Sequence, residues 1–420
     1  MRRFLCLILA AAAVAAPAQK FIPKTIQFHG APEYTDQELM TAAGLKKGEL
    51  LDYAGMNERS KQLLSTGVFA TLAFKFDGQD LVFTLTPSTE LVPARLVNLP
   101  TAPGVDIDSQ LRKLVPLYHG KVPMADGLME SVRAAIEKIL AGEGINAQVT
   151  AMTGVNLATQ KINEVQYSIA SPPVVIGKIG LSGVSAALAP DVEKALAEAA
   201  KAPFDTANST DGLRGVVEQV YHDRGYAAVK VEVAAAAIPM VSPAKIEVPF
   251  SISVAEGRIY RLASIQLPAD APLTDDEVNR FLADRPGAPP QGVRIRSVWE
   301  ALSGRYKAKG YLDCRIAPHA ALDDTAATVS YKVDVVPGPV YHLGFVKFDN
   351  VSDQMRTMLM RYWQMLPGDV FDQSYVAMFI PKAMQQDPTL QHSLAGVKVN
   401  FDVTEDQLAH TVNVVLHLAH

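Results

Sequence analysis

Hydrophobic and polar positions recur along this chain in a fixed order. In the segment 174–257, residues 174–181 alternate as a strand and residues 190–200 form a helix. Leu213, Val217 and Tyr221 then lie on one face of a second helix. Residues 226–235 and 247–255 alternate again and predict a hairpin. The pattern therefore predicts the order strand, helix, helix, strand, strand.

A glycine ends the second helix in four copies of this pattern. These glycines are Gly67, Gly144, Gly225 and Gly310. A helix that ends in a left-handed residue needs glycine at that position, so a C-cap explains the recurrence. Aromatic residues follow three of them, at Phe69, Tyr226 and Tyr311. We expect these rings to pack in a core rather than to contact a partner.

The recurrence predicts an α+β fold of tandem β-α-α-β-β repeats. Each repeat is expected to form a three-stranded mixed sheet covered on one face by two helices. The expected domains, after a signal peptide at 1–18, are 19–88, 89–173, 174–257, 258–338 and 339–420. The links between them are short, which favours an elongated curved array in which neighbours touch.

The fourth and fifth copies differ in how well they fit. In the fourth, Thr274 and Glu277 have the spacing of a capping box that opens a helix. In the fifth, Pro381 falls within the second helix, where it removes a backbone donor and clashes with the preceding turn. We therefore expect the fifth repeat to be divergent, as a terminal repeat often is.

The first residues of the chain predict a cleaved secretion signal. Arg2 and Arg3 precede an apolar run at 4–16, and 16–18 reads Ala-Pro-Ala, which suits a signal peptidase. An uncleaved anchor is the alternative, but the run is shorter than the roughly 20 residues that span a bilayer. Cleavage leaves Cys314 as the only cysteine, so no internal disulfide is expected and the thiol is interpreted as a small apolar group in a strand.

Composition limits the classes of partner. The 420 residues are 49% hydrophobic, which is enough for several cores, and they carry a net charge of -5. The sequence contains no cluster of lysine or arginine of the kind that binds phosphate backbones, so nucleic acid is not expected as a partner. No later stretch is apolar for long enough to span a membrane as a helix.

Catalytic motifs are not found in the sequence. Gly177, Gly180 and Gly183 have the wrong spacing for a dinucleotide-binding loop. The histidines considered as metal ligands are His410, His417 and His420. The first two fall on opposite faces of a predicted strand, so solvated histidines are the preferred interpretation. We assign no catalytic, cofactor-binding or metal-ligating residue, and we expect a protein that is not an enzyme and needs no cofactor.

Five short motifs in one repeat resemble the polypeptide-transport-associated (POTRA) domain. They occupy 26–30, 34–39, 44–48, 66–69 and 81–87, and related motifs recur at 348–350 and 366–369. The resemblance covers nearly all of the chain after the signal. It implies the periplasmic arm of the outer-membrane barrel-assembly and translocation family, and hence a Gram-negative bacterium.

In that family the arm precedes a membrane barrel, and we expect none here after residue 420. The resemblance therefore implies a non-catalytic periplasmic scaffold or chaperone-like module, and a peripheral association with the outer membrane is compatible with it. Its expected partners are a separate outer-membrane barrel protein or other envelope-assembly factors, together with unfolded exported polypeptides.

The physical basis for such binding is the free edge of a small sheet. An exposed edge offers unpaired backbone groups to an extended segment of another chain, and it reads backbone more than side chains. The alternative is that neighbouring segments cover the edges and the array is a spacer. Two other functions stay open: an envelope or cell-division scaffold, and an envelope enzyme whose site lies between repeats.

Overall fold

The computed structural model describes residues 20–100, 106–124, 127–156, 161–236, 238–284, 290–394 and 396–419. The predicted signal peptide at 1–18 and the candidate His420 lie outside them. The chain forms two compact parts, one built mainly from the first two repeats and the other mainly from the last three. Five small mixed sheets with helices make up the α+β fold.

The first repeat has the predicted order of elements. It consists of β1 (Thr25–His29), α1 (Asp36–Ala42), α2 (Tyr53–Leu64), β2 (Phe69–Phe76) and β3 (Asp80–Pro87). The strand order is β1-β3-β2, with β1 parallel and β2 antiparallel to the central β3. The last strand of the repeat therefore lies in the middle of its sheet.

The second repeat has one strand more than predicted. It consists of β4 (Leu91–Leu96), α3 (Ile107–Leu114), β5 (Lys121–Pro123), α4 (Leu128–Gly142), β6 (Gln148–Asn156) and β7 (Lys161–Ser171). The order is β5-β4-β7-β6, so the short β5 lies beside β4. The prediction of three strands is wrong here because part of the turn between the helices is extended and pairs with the first strand.

The third repeat divides one of its edge strands. It consists of β8 (Val174–Ser182), α5 (Ala189–Ala199), α6 (Ser209–His222), β9 (Lys230–Ala235), β10 (Met240–Val241) and β11 (Ile246–Ala255). Both β9 and β10 pair antiparallel with β11, at different residues, and β8 pairs with it in parallel. This sheet too has four named strands. As in the first repeat, the last strand is central, with the first strand parallel to it and the others antiparallel.

The fourth repeat follows the predicted pattern closely. It consists of β12 (Arg261–Gln266), α7 (Asp275–Leu282), α8 (Gln291–Lys307), β13 (Arg315–Asp323) and β14 (Thr328–Val336), in the sheet order β12-β14-β13. The capping box is confirmed, since the Thr274 side chain accepts from the Glu277 N–H and the Glu277 side chain accepts from the Thr274 N–H. The buried cluster of its described residues is Leu273, Val278, Val298, Leu302, Tyr306 and Val333.

The fifth repeat keeps the order and adds a short helix. It consists of β15 (His342–Asp349), α9 (Asp353–Tyr362), α10 (Gln373–Gln386), α11 (Pro388–Ser393), β16 (Lys398–Asp406) and β17 (Thr411–Ala419), in the sheet order β15-β17-β16. Pro381 lies inside α10, and the helix continues past it. Val376, Phe379, Ile380 and Ala383 are buried along one face of α10, so packing outweighs the lost backbone bond.

The buried cluster of the fifth repeat is large. Its members among the described residues are Tyr341, Leu343, Phe348, Leu359, Trp363, Met365, Phe371, Val376, Phe379, Ile380, Ala383, Leu390, Leu394, Val412, Val414, Leu416 and Leu418. Trp363 packs edge-on against Phe379 with ring centroids 4.9 Å apart, and its indole N–H donates to the Met365 carbonyl at 2.6 Å. A buried Trp with its N–H satisfied stabilises a core without an unpaired donor.

The predicted glycine caps are confirmed. Gly67, Gly144, Gly225 and Gly310 have φ angles of 74°, 79°, 90° and 85°. Only glycine adopts this left-handed backbone without strain. Within the residues that the structure describes, no helix combines the length and apolar character that crossing a membrane requires.

Candidate functional site

The strand order gives every sheet two kinds of edge. In the three-stranded sheets the last strand is central, so the first and second strands of the repeat form the edges. We call these the first-strand edge and the second-strand edge. The two differ in whether another part of the repeat covers them, and that difference decides where another chain can pair.

The segment between the two helices covers part of the first-strand edge. In the first repeat the pairing lies just before β1, where Phe21 and Leu51 exchange two backbone hydrogen bonds of 2.8 Å. In the fifth repeat, the Leu343 N–H donates to the Asp369 carbonyl at 2.8 Å and its carbonyl accepts from the Gly368 N–H at 2.7 Å. The second repeat uses β5 at the same position, and the third uses a bridge between residues 175 and 203.

The fourth repeat covers this edge with a side chain instead. The Leu262 N–H donates to Oε1 of Gln291, the first residue of α8, at 2.9 Å. The first-strand edge is therefore at least partly paired in four repeats, and in the first repeat the pairing lies just upstream of β1. The alternative interpretation is that neighbouring segments cover the sheet edges. For the first-strand edges, this partial cover agrees with that interpretation.

The second-strand edges lack such cover. Among the described residues, no strand pairs with the outer side of β2, β13 or β16, nor with that of β9 and β10 in the third sheet. β16 is nine residues long, and Phe401 within it is 37% exposed. An unpaired edge of this length leaves backbone N–H and C=O groups available to an extended chain.

Two of these edges contain residues that limit pairing. β13 contains Pro318, which has no N–H to donate, and β2 contains Lys75. Proline and lysine are the residues with which natural proteins protect an edge. β16 begins with Lys398 and has no proline along its length. β6 of the second repeat is also nine residues long, lies at the edge of its sheet and lacks proline. β6 and β16 are therefore the longest second-strand edges without proline among the described residues.

The repeated glycines do more than cap helices. The Gly225 carbonyl accepts from the Tyr260 N–H at 2.8 Å, and the Gly310 carbonyl accepts from the Tyr341 N–H at 2.9 Å. Tyr260 and Tyr341 each precede the first strand of the following repeat. Our interpretation that a cap fully explains these glycines is incomplete, because Gly225 and Gly310 also form the joint with the next repeat.

Two further glycines allow the close approach of helix ends at these joints. A Cβ on Gly292, at the start of α8, would lie 1.8 Å from the His222 carbonyl oxygen at the end of α6. A Cβ on Gly127, just before α4, would lie 2.2 Å from the Ser65 carbonyl oxygen that follows α2. Any larger residue forces these helix ends apart, because a Cβ does not approach an oxygen so closely.

Charged groups add to the same joints. Arg296 of α8 donates to both carboxylate oxygens of Asp223, at 3.1 Å each, and this pairing raises the pKa of Arg296. His119 lies 3.1 Å from Oε1 of Glu38, which also accepts from Thr35. Burial alone would raise the pKa of Glu38, but the hydrogen bonds from Thr35 and His119 lower it below its usual value.

Buried tyrosines bind carboxylates that are distant in the sequence. The Tyr221 hydroxyl donates to Glu256 at 2.7 Å, and the Tyr341 hydroxyl donates to Asp313 at 2.8 Å. Burial, together with Asp313, raises the pKa of Tyr341 to about 12. The sequence analysis missed these pairs, since no local spacing connects their members.

Of the candidate metal-binding histidines, His410 and His417 lie among the described residues and have different neighbours. His410 has a φ of 51° in the turn before β17, where its ring lies 5.7 Å from that of Tyr341. His417 in β17 lies 2.9 Å from Asp402 and 3.8 Å from Asp349. Both carboxylates lie on neighbouring strands, so no local spacing in the sequence indicates them. Within the described ranges, no group of three or more His, Cys, Asp or Glu residues could hold a metal ion.

Cys314 lies immediately before β13, not within a strand as expected, and packs against the buried cluster of the fourth repeat. Burial raises the pKa of its thiol, which keeps it protonated. This placement agrees with its interpretation as a small apolar group.

No family model matches the chain. Solved structures that match it include POTRA domains 3–5 of BamA from Haemophilus influenzae, at 14% identity over 59% of this chain and 96% of that chain, with a TM-score of 0.36. The N-terminal domain of Omp85 from Thermosynechococcus elongatus matches at 17% identity over 59% of this chain and 97% of that chain, with a TM-score of 0.19. CdiB from Escherichia coli matches at 13% identity over 57% of this chain and 36% of that chain, with a TM-score of 0.19.

The fold of this chain is defined by its own five sheets and by the strand order within them. It is a tandem array of small α+β repeats that share the element order β-α-α-β-β.

Proposed function

We propose that this chain is a non-catalytic periplasmic scaffold or chaperone-like module in outer-membrane protein assembly or translocation. It binds extended segments of client or partner polypeptides by adding them as strands to its second-strand edges. The partners are a separate outer-membrane barrel protein or other envelope-assembly factors, and unfolded exported chains. A cleaved signal at 1–18 delivers it to the periplasm.

The observation that carries this proposal is the unequal cover of the two edges. In the fifth repeat the segment between the helices pairs with the start of β15, whereas β16 lacks a strand on its outer side in the described part of the chain. Backbone pairing at such an edge contributes affinity without demanding a particular sequence. That tolerance suits clients that differ from one another but are all extended.

Photo-crosslinking can compare the two edges directly, because each carries an exposed phenylalanine. Phe401 lies in β16 and is 37% exposed, and Phe345 lies in β15 and is 48% exposed. Each is replaced in turn by the photoreactive residue p-benzoylphenylalanine, which keeps an aromatic ring at the position. With a reduced and alkylated model polypeptide, we expect crosslinks from position 401 and few from position 345.

The same pair of variants separates the alternatives in cells. Recovery of outer-membrane barrel proteins or of exported chains from position 401 supports the proposal. Recovery of cell-division proteins instead would favour the division scaffold. Equal yields from both positions, or none from either with the purified chain, would contradict strand addition at the second-strand edge.

A further inference from the structure

A cavity of about 290 Å³ lies at the joint of the third and fourth repeats. Trp299 of α8 and Tyr331 of β14 form its aromatic wall, with ring centroids 5.7 Å apart in an edge-on arrangement. Pro318 and Ala320 of β13 form a second wall, and both are exposed. The size is near the lower end of the roughly 300–1,000 Å³ typical of ligand sites.

The third repeat supplies the remaining wall. His222 and Gly225, at the end of α6 and in the turn after it, line the cavity together with Gly292 of α8. Gly292 packs directly on the His222 carbonyl, and the Gly225 carbonyl accepts from the Tyr260 N–H at 2.8 Å. The cavity therefore has its present shape only while this joint is closed.

The charges in the cavity wall already have partners. Arg296 is paired with Asp223 at 3.1 Å and with Glu300 at 3.0 Å. Burial lowers the pKa of His222 although Glu218 and Asp223 oppose this, so His222 is neutral around pH 7. A neutral lining with paired charges suits an uncharged occupant, because a charged one would lose its solvation without gaining a free counterion.

β13 leaves the cavity open to one side. Along this strand Ile316, Pro318, Ala320 and Leu322 point toward the helix side of the sheet, yet Pro318 and Ala320 are exposed and Leu322 is 41% exposed. The helices thus leave the edge of their own sheet partly uncovered. Pro318 also interrupts the backbone edge, so an incoming chain cannot pair along all of β13.

We propose that this cavity binds one large uncharged side chain, aromatic or aliphatic, of an extended client that lies along β13, and that filling it fixes the joint between repeats three and four. The idea rests on the proposed function and adds side-chain selection to it. A polypeptide fits better than a lipid chain, because unpaired backbone groups of β13 lie beside the cavity and a hydrocarbon has no partners for them.

Trp299 reports on the cavity. A Trp363→Phe variant leaves Trp299 as the only tryptophan. The probes are two short synthetic peptides of alternating threonine and glutamine with blocked ends, one with a central phenylalanine and the other with a central serine. We expect the phenylalanine peptide to change the Trp299 emission and to bind at least about tenfold more tightly than the serine peptide. It should also slow hydrogen exchange at the Tyr260 amide.

Neighbouring alanines of β13 give a matched control. Ala320 lines the cavity, whereas Ala321 points to the opposite face of the strand, and both are exposed. Ala320→Phe should fill the cavity and weaken binding of the phenylalanine peptide at least about tenfold. Ala321→Phe should leave binding unchanged. Equal effects of the two substitutions, or equal binding of the two peptides, would overturn the proposal.

Other occupants give different results. If fatty-acid micelles displace the peptide, or if Ala320→Phe abolishes a concentration-dependent self-association, then a lipid or a second copy fills the cavity and the proposal is wrong. Crosslinking from position 401 is measured on the same variants. If the Trp299 emission does not change on addition of the peptide but crosslinks from position 401 are strong, only the cavity site is rejected. If position 401 gives no crosslinks, the proposed function is rejected.

Discussion

The fourth and fifth repeats share one order of elements but stabilise it in different ways. The fourth matches the sequence pattern closely, yet its buried cluster is small and the helix side of β13 is exposed. The fifth departs from the pattern at Pro381, yet its cluster is large and includes Phe348, Trp363 and Phe379. Agreement with the sequence pattern thus does not measure how well a repeat packs. The incomplete core leaves the cavity, and the complete core supports the long free edge of β16.

The largest expected effect comes from one helix leucine in each of the two cores. Leu359 of α9 and Leu302 of α8 are both fully buried. Leu359→Ala should cost toward the upper end of the roughly 2–5 kcal/mol typical of such changes, because rigid neighbours hold the cavity open. Leu302→Ala should cost nearer the lower end, because half-buried neighbours can move in.

Denaturant unfolding measures both changes, with Trp363 reporting on the fifth repeat and Trp299 on the fourth. The comparison fails if Leu302→Ala proves the more costly of the two.

The second prediction asks whether the fourth repeat depends on its neighbour. Gly292→Ala places a methyl group against the His222 carbonyl, so we expect a loss of about 1–3 kcal/mol, as for other overpacked contacts. Gly304 is in the same helix with open space around it. Gly304→Ala should stabilise by roughly 0.5–1 kcal/mol through helix propensity alone.

Thermal unfolding monitored by Trp299 gives both values. A harmless Gly292→Ala would show that the contact between the helix ends does not support the fourth repeat.

The third prediction concerns Pro381, where the fifth repeat departs from the sequence pattern of the other repeats. Pro381→Ala restores a backbone donor within α10, so we expect a net gain of about 1–2 kcal/mol, reduced by the greater freedom of the unfolded chain. Unfolding monitored by Trp363 should shift upward while the Trp299 signal stays unchanged. A loss of stability would mean that the surrounding core is built around the proline.

The smallest effect is a difference in response to pH. The bond from the Thr274 N–H lowers the pKa of Glu277, so its contribution to the fourth repeat is present above its unfolded pKa and is lost as the pH falls through the folded value. Burial, with Asp313 beside it, raises the pKa of Glu405 in the fifth repeat. Its contribution is present at low pH and is lost as the pH rises through the folded value.

Glutamine variants test the two signs separately. At pH 7, Glu277→Gln should lower the melting temperature of the fourth repeat, and Glu405→Gln should raise that of the fifth. Near pH 4 both differences should shrink. Changes of the same sign at pH 7 would contradict this assignment.

Local signals in the sequence were sufficient for the elements and their order. The capping box at Thr274 and the left-handed glycines involve only neighbouring residues, so periodicity and spacing identify them. The pairing of β5 with β4 and the bridge from Leu51 to Phe21 join segments far apart in the chain. No single sequence encodes such pairing as a visible pattern, and the covered and free edges therefore had to come from the structure.

The same reason applies to the candidate sites. The cavity beside Trp299 depends on how closely Gly292 approaches the third repeat, and a glycine in a helix does not reveal that approach by itself. The free edge of β16 was expected only as one of several edges. The carboxylates beside His417 lie on adjacent strands, where helical or strand periodicity cannot place them.

The central position of each repeat's final strand has a consequence for how the protein is made. β3, β14 and β17 each join two strands that precede them and do not touch each other. A chain that emerges N-terminus first therefore holds the earlier pieces of a repeat without a sheet until its closing segment arrives. The sheet of each repeat then forms in one step, and assembly proceeds along the chain one repeat at a time. Until its last strand arrives, an unfinished repeat exposes the backbone groups with which that strand will pair.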